Sequence, residues 1–386
     1  MMARSKRKKL HKKTVPNLHV HQPNAAGIDV GATEIYVAVP EDRSDDPVMC
    51  FNTFTEDLHN CSRRLKEFGI KSIAMESTGV YWIPVFQILD SYGFEVILVN
   101  ARHVKNVPGR KTDVQDCQWL QYLHSVGLLR GSFRPSQDIC AVRSLFRHRD
   151  SLVRAASSHV QHMQKSLTQM NLQIHNVISD TTGFTGMSII DAILAGERDP
   201  NVLADLKDRR VKAKKDVIAK SLTGDYRREH LFTLKQSVQS YRNHCQLIMD
   251  CDMEIKELLE EFESNIDVDE SPLPSSKKSK QKAKSNTPAF DVKTEMYRIF
   301  GTDLTQVNGI SDLTAHVIFT EVGPDLSKFK NVGSFLFLAG SVSVQKDQWR
   351  QDTVIAHKAG NKSSGSFASD SCKYSMEQYD LPRKLL

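Results

Sequence analysis

Three short stretches constrain this chain more than anything else in it: GIDVG at 27–31, MESTGVYW at 75–82 and KTDVQD at 111–116. They place four carboxylates, Asp29, Glu76, Asp113 and Asp116, in one compact segment. AAGIDVG followed by EIYVAVP reads as two short strands with a turn at Gly31-Ala32-Thr33, and VMCFNTF (48–54) as a third. Leu58, Cys61, Leu65 and Phe68 recur at helical spacing. SIAME (72–76) reads as a short buried strand, 84–92 as a helix, EVILVN (95–100) as a further strand, and the stretch from Thr112 toward Val126 as a helix. Strands followed by alternating helices and strands predict an α/β domain with a mixed sheet.

The positions of the acids on that scaffold carry the chemistry. Asp29 is central in the first strand, and Ile28 and Val30 point to the opposite face, so Asp29 turns away from the apolar side. Glu76 ends the fourth strand. Asp113 and Asp116, three apart in a helix, share one side of it. Mg2+ takes oxygen ligands and keeps several waters, so one or two carboxylates per ion suffice. Two such ions stabilise the attacking and leaving oxygens of an in-line displacement at phosphorus. Each acid alone also fits a helix cap or a solvated carboxylate. For Asp113, directly after Thr112, an N-terminal cap is a serious rival.

The rest of the chain changes character. Residues 1–24 read as a disordered basic arm, 25–130 as the α/β domain, and 131–265 as a helical connector with long helices over 137–178 and 229–264. Those two helices can pair as an antiparallel hairpin or enter a dimeric coiled coil. Between them TTGFTGMS (181–188) reads as a turn region. Residues 266–292 read as a disordered Ser/Lys/Pro-rich linker. LTQVNGISDLTAHVIFTEVG (304–323), within a unit over 293–335, reads as helix, glycine turn, helix, and 336–386 is an atypical tail.

Net charge is only +6, but basic residues cluster in RSKRKKLHKK near the start, KDRRVKAKK at 207–215 and KKSKQKAK at 277–284. Such runs suit a polyanionic partner, because phosphate contacts release counterions. Lys207, Arg209 and Arg210 are the candidate contacts in the second run; any one run alone also fits a solvated surface. The seven cysteines show no CxxC pair, which argues against a zinc site or disulfide framework and fits a reducing cytoplasm. No apolar run reaches membrane-spanning length, and no apolar stretch follows the basic N-terminus as a signal peptide requires.

GIDVG, MESTGVYW and VPGRKTDVQDCQWL together resemble the DEDD transposases of the bacterial insertion sequence 110 family. The second and third elements are specific; the first alone is weak. LTQVNGISDLTAHVIFTEVG is similar to the start of that family's C-terminal domain, and the resemblance covers about 25–335. It implies a ribonuclease-H-like (RuvC-like) α/β domain, a long coiled-coil connector and a small α-helical C-terminal domain. It implies that Asp29, Glu76, Asp113 and Asp116 bind Mg2+. It also implies that the protein cleaves and transfers DNA strands, guided by a structured RNA, as a homo-oligomer held through the connector. Ser77, Thr78, Tyr81, Trp82, Arg110 and Lys111 would then be neighbouring site or backbone contacts, with core packing the expected role of Tyr81 and Trp82.

The resemblance stops after Phe335. The family continues with a Trp/Tyr-Leu-Gly-Leu-Pro stretch, a Ser-Gly-Gly holding the serine nucleophile, and a basic segment. This chain reads LFLAGSVSVQKDQWRQDTVIAHKAGNKSSGSFASDSC instead. Read one nucleotide later with permitted codons, the same stretch can encode a Ser-Gly-Gly of the family kind. A frameshift after about Phe335 is therefore expected, with the nucleophile's place near Gln348; Ser363, Ser364 and Ser366 lie too far downstream. Three other readings stay open. One is a RuvC-like structure-selective nuclease using metal-activated water. A second is a phosphotransferase of the sugar-kinase and actin type, which also opens on a Gly-Ile-Asp-x-Gly strand but needs phosphate and adenosine loops not found here. The last is a non-catalytic nucleic-acid-binding protein.

Overall fold

The computed structural model describes residues 19–77, 79–99, 113–273, 286–327, 329, 331 and 333, with the side chains of 113–115 excluded. Most of the basic arm, Thr78, Arg110, Lys111, the Lys-rich centre of the linker and the tail with Gln348 and the KSSGS serines lie outside the described residues. The chain divides into two compact units, Met1–Arg134 and Pro135–Leu386.

The first unit is a five-stranded sheet in the order β3-β2-β1-β4-β5, built from β1 (Ala25–Val30), β2 (Glu34–Ala38), β3 (Val48–Asn52), β4 (Ser72–Glu76) and β5 (Glu95–Val99). β1 pairs antiparallel with β2 and parallel with β4, so the sheet is mixed, as the strand pattern predicts. Alternation divides its faces. Ala26, Ile28, Val30, Ile35, Val37, Ile73, Met75 and Leu98 point one way into the main core. Two helices cover that face, α1 (Thr55–Glu67) through Leu58, Cys61 and Leu65, and α2 (Trp82–Ser91) through Val85, Phe86 and Leu89.

The opposite face of the central strands carries Ala25, Gly27, Ser72 and Ala74, all small. That lets α3 (Asp113–Ser125) lie very close. A Cβ on Gly27 would stand 2.3 Å from the Cys117 carbonyl oxygen and 2.3 Å from the Gln121 nitrogen, so only glycine fits there. Gln121 Nε2 donates to the Ala25 carbonyl at 3.2 Å, and the buried Ser72 hydroxyl meets His124 Nε2 at 2.7 Å. Leu120 and Leu123 close the face against Val99 and Ile97. Along β1 the helix runs from the Asp29 end toward Ala25.

The second unit is helical. α4 (Gln137–Gln169) and α8 (Arg228–Glu260) run antiparallel, as Leu145 against Cys251, Arg149 against Asp252 and Ser166 against Thr233 show. α4 stops where Asn171 takes a left-handed conformation, φ 57°. Between them lie α5 (Phe184–Ala195), α6 (Pro200–Asp205) and α7 (Lys215–Ser221). These close a core of Ile189, Ile190, Ile193, Leu203 and Ile218 against Met163, Leu167, Leu234 and Val238. At the other end of the helix pair, α9 (Val292–Phe300) and α10 (Asp312–Val322) bury Met296, Ile299 and Phe319 with Ile139, Val142, Ile255 and Leu259. No helix among the described residues is long and apolar enough to cross a membrane.

Two local expectations are corrected. TTGFTGMS is not a turn throughout: the helix begins at Phe184 and takes in Gly186. A Cβ on Gly186 would meet the Thr181 carbonyl oxygen at 2.2 Å, so this glycine serves close backbone approach rather than a turn. In 304–323 the first helix is a single 3-10 turn, Leu304–Gln306. Gly309 (φ 90°) turns the chain, and the Ser311 hydroxyl caps α10 by accepting from the Thr314 N–H at 3.2 Å.

Candidate active site

Register decides where the acids go. β1 and β4 are parallel and adjacent, pairing Gly27 with Ala74 and Ile28 with Met75. One step further sets Asp29 beside Glu76, with both side chains on the α3 face. Neighbouring strands are about 4.8 Å apart, so the two acids stand side by side on adjacent strands. Asp29 is half-buried and Glu76 only 5% exposed. Across the sheet Tyr36 stands opposite Asp29, and Val99 beside Glu76. Just past Glu76 the Ser77 N–H and hydroxyl both donate to the Val99 carbonyl, at 3.2 and 3.3 Å, which ties down the start of the following loop.

α3 supplies the next acid. Asp116 is half-buried and directly precedes Cys117, the residue seated over Gly27. The Cys117 thiol is pushed up to about 12, first by burial and then also by the negative charges of Asp29 and Asp116. Both carboxylates therefore act on the same sulfur from two different elements. Asp113 opens α3 one turn earlier; its side chain is outside the described residues. Among the described residues no group of three or more His, Cys, Asp or Glu is arranged to hold a metal ion. Asp29 and Glu76, as neighbouring hard oxygen donors, match the one or two carboxylates that a Mg2+ ion takes from protein.

The sequence reading passed over the outer part of this face. Glu34 and Tyr36 lie on it by simple alternation, as does Cys50 opposite Tyr36. The Glu34 carboxylate accepts from the Cys50 thiol at 3.0 Å and the Tyr36 hydroxyl at 3.3 Å. The Glu34 charge raises the Tyr36 pKa, and burial followed by Glu34 raises that of Cys50. The signal was available in the period-two pattern of EIYVA.

The loop after Glu76 also departs from expectation. Trp82 does pack partly into the core, edge-on to Phe86, and its Nε1–H donates to the Gly79 carbonyl at 3.2 Å. Tyr81 does not: it is 48% exposed, between Val80 at 66% and Ile83 at 37%. In the helical unit, Lys207 is half-buried, Arg209 is exposed, and Arg210 is exposed but paired with Asp208 at 2.9 Å. Lys215, ending the same run, pairs with Asp205. Part of that basic run is thus neutralised locally.

A mixed sheet in this order, with helices on both faces and acids at the ends of the two central parallel strands, is consistent with a ribonuclease-H-like α/β domain. Residues 26–172 match a family model described as a transposase, that of the DEDD transposases of the insertion sequence 110 family. The matched segment holds Asp29, Glu76, Asp113 and Asp116. No curated protein matches the chain.

Proposed function

We propose that this chain is a transposase or recombinase that binds DNA and cleaves it with Mg2+, with Asp29, Glu76, Asp113 and Asp116 as the metal acids, and that it has lost the strand-transfer step. The observation that carries this reading is the parallel register of β1 and β4, which brings Asp29 beside Glu76 on the face that α3 covers. Like charges on neighbouring strands repel, and a cation between them removes that cost. When bound, Mg2+ supplies Lewis acidity at phosphate oxygens. Asp29 and Glu76 hold their positions through the sheet, and Asp116 through the seat of α3 on Gly27. Cys117 and the apolar residues below them keep water from that side, which strengthens charge interactions at the site.

The family resemblance supports a structured guide RNA as partner, homo-oligomers joined through the long helices, action in the bacterial cytoplasm, and phosphate contacts by Arg110, Lys111, Lys207, Arg209 and Arg210. It also supports a serine nucleophile that this chain lacks near Gln348, so the metal acids would persist while strand transfer fails. The absence of Ser-Gly-Gly after Phe335 favours one second reading, a nuclease that uses water and forms no covalent adduct. The test is a Mg2+-dependent cleavage assay on the element's own end sequences with its flanking RNA, scoring nicked DNA and protein–DNA adduct separately. Nicking without adduct, lost in Asp29→Ala, is the result expected of this chain. Undiminished nicking in Asp29→Ala would remove that residue from the site.

A further inference from the structure

The chain that follows Glu76 into α2 leaves the sheet at the strand end that carries this acid, and the proposed metal chemistry does not use its exposed apolar residues. Val80, Tyr81 and Ile83 are all exposed within four residues of sequence. Scattered apolar residues on a surface are ordinary, but a contiguous group beside a polar site marks an interaction. The loop's described residues make defined contacts. Ser77 anchors its start to Val99, Gly79 turns it with φ 57°, and the indole N–H of Trp82 closes it onto the Gly79 carbonyl. The Trp82 ring is fixed in turn by Phe86. The Tyr81 ring leans on this turn, since a Cβ on Gly79 would lie 3.6 Å from it. A tyrosine ring has only two side-chain torsions to lose on binding, and so suits a flat ligand at low entropic cost.

We propose that Tyr81, flanked by Val80 and Ile83, is a stacking platform for an unpaired base of the DNA strand processed at the Asp29–Glu76 pair. The inference rests on the proposed function and names how its substrate is held. Five residues span at most about 18 Å, so Tyr81 lies within reach of the few bases that flank a phosphate at Glu76. Every base has a π face, so such a platform tolerates sequence while selecting an opened strand over a closed duplex. Acids that bind metal at the phosphate give no such selection by themselves.

The experiment uses the full chain with a single-stranded 20-nucleotide DNA and its duplex form, each carrying 2-aminopurine at successive positions near the cleavage point. Stacking on Tyr81 quenches the probe at one or two positions of the single strand and not in the duplex. Tyr81→Ala abolishes that quench and weakens single-strand binding about tenfold; Tyr81→Phe retains both. Asp29→Ala is followed in parallel and keeps the quench. Equal binding and quenching in Tyr81→Ala, or a Tyr81→Phe as weak as Tyr81→Ala, overturns the platform. If Asp29→Ala leaves metal-dependent cleavage intact while Tyr81→Ala loses the quench, the metal assignment fails and the platform survives. Circular dichroism of Tyr81→Ala, an exposed position, shows whether the fold is retained.

Discussion

The two faces of one sheet are built for opposite purposes. On one, Ile28, Val30, Ile73 and Met75 bury against α1 and α2, and the side chains themselves supply the stability. On the other, Gly27, Ala25, Ser72 and Ala74 withdraw so that α3 can sit on the backbone, leaving Asp29 and Glu76 at the strand ends. Neighbouring residues of a single strand therefore carry separate burdens. Stability belongs to the even positions of β1, and the proposed chemistry to Asp29, with Gly27 setting the distance between the strand and the helix.

Substitutions along β1 and β4 are the sharpest way to break that contrast. Asp29→Ala or Glu76→Gln should lower Mg2+-dependent DNA processing by about 10³-fold, which is about 4 kcal/mol at the barrier, while the denaturant midpoint barely moves. Ile28→Ala, one residue away, should do the reverse: a loss of about 2–5 kcal/mol in unfolding free energy, with processing by the remaining folded protein retained. Gly27→Ala should show an intermediate pattern. It strains the seat of α3 by about 1–3 kcal/mol and lowers processing by moving Asp116, measured by pairing unfolding curves with cleavage rates.

The helical unit extends the comparison, because there a buried charge serves packing rather than chemistry. Arg149 and Asp252 form a buried pair joining α4 to α8, and Asp252 also accepts the Ala289 N–H at 3.0 Å. Asp252→Ala should destabilise this unit by about 3–5 kcal/mol, since it strands the guanidinium. His316 is smaller in effect. It is fully buried, with neither ring nitrogen hydrogen-bonded among the described residues. Burial, and secondarily Arg149, lower its pKa from 6.5 to about 4. Between those values the unfolded chain binds the extra proton, so stability falls as pH drops from 6.5 toward 4, by up to about 3 kcal/mol. Thermal melts across that range should show the decline, and His316→Phe should flatten it.

Much of the first unit was legible because short strands with period-two alternation leave few registers that bury one face. Asp29 inside IDV and Glu76 at the end of SIAME then had one common side to occupy. What stayed hidden depended on backbone approach. Gly186 looks like a turn residue until the Thr181 carbonyl beside it is known, and the adjoining threonines reinforce the misreading. Tyr81 and Trp82 look alike as aromatics before a helix. Only the packing separates them: Trp82 sits against Phe86 at the core edge, and Tyr81 stays exposed. Pairing of Arg210 with Asp208 and Lys215 with Asp205 likewise trims a basic run that composition alone counts in full.

The central claim is that Asp29 and Glu76 share one cation. It is tested most directly by Mn2+ titration of the full chain, followed by electron paramagnetic resonance, with Asp29→Asn and Glu76→Gln singly and together. Each single substitution should weaken the same binding event at least about tenfold, and the double variant should lose less than the sum, as coupled neighbours do. Unchanged Mn2+ binding in either single variant, or strictly additive losses, would contradict a shared site.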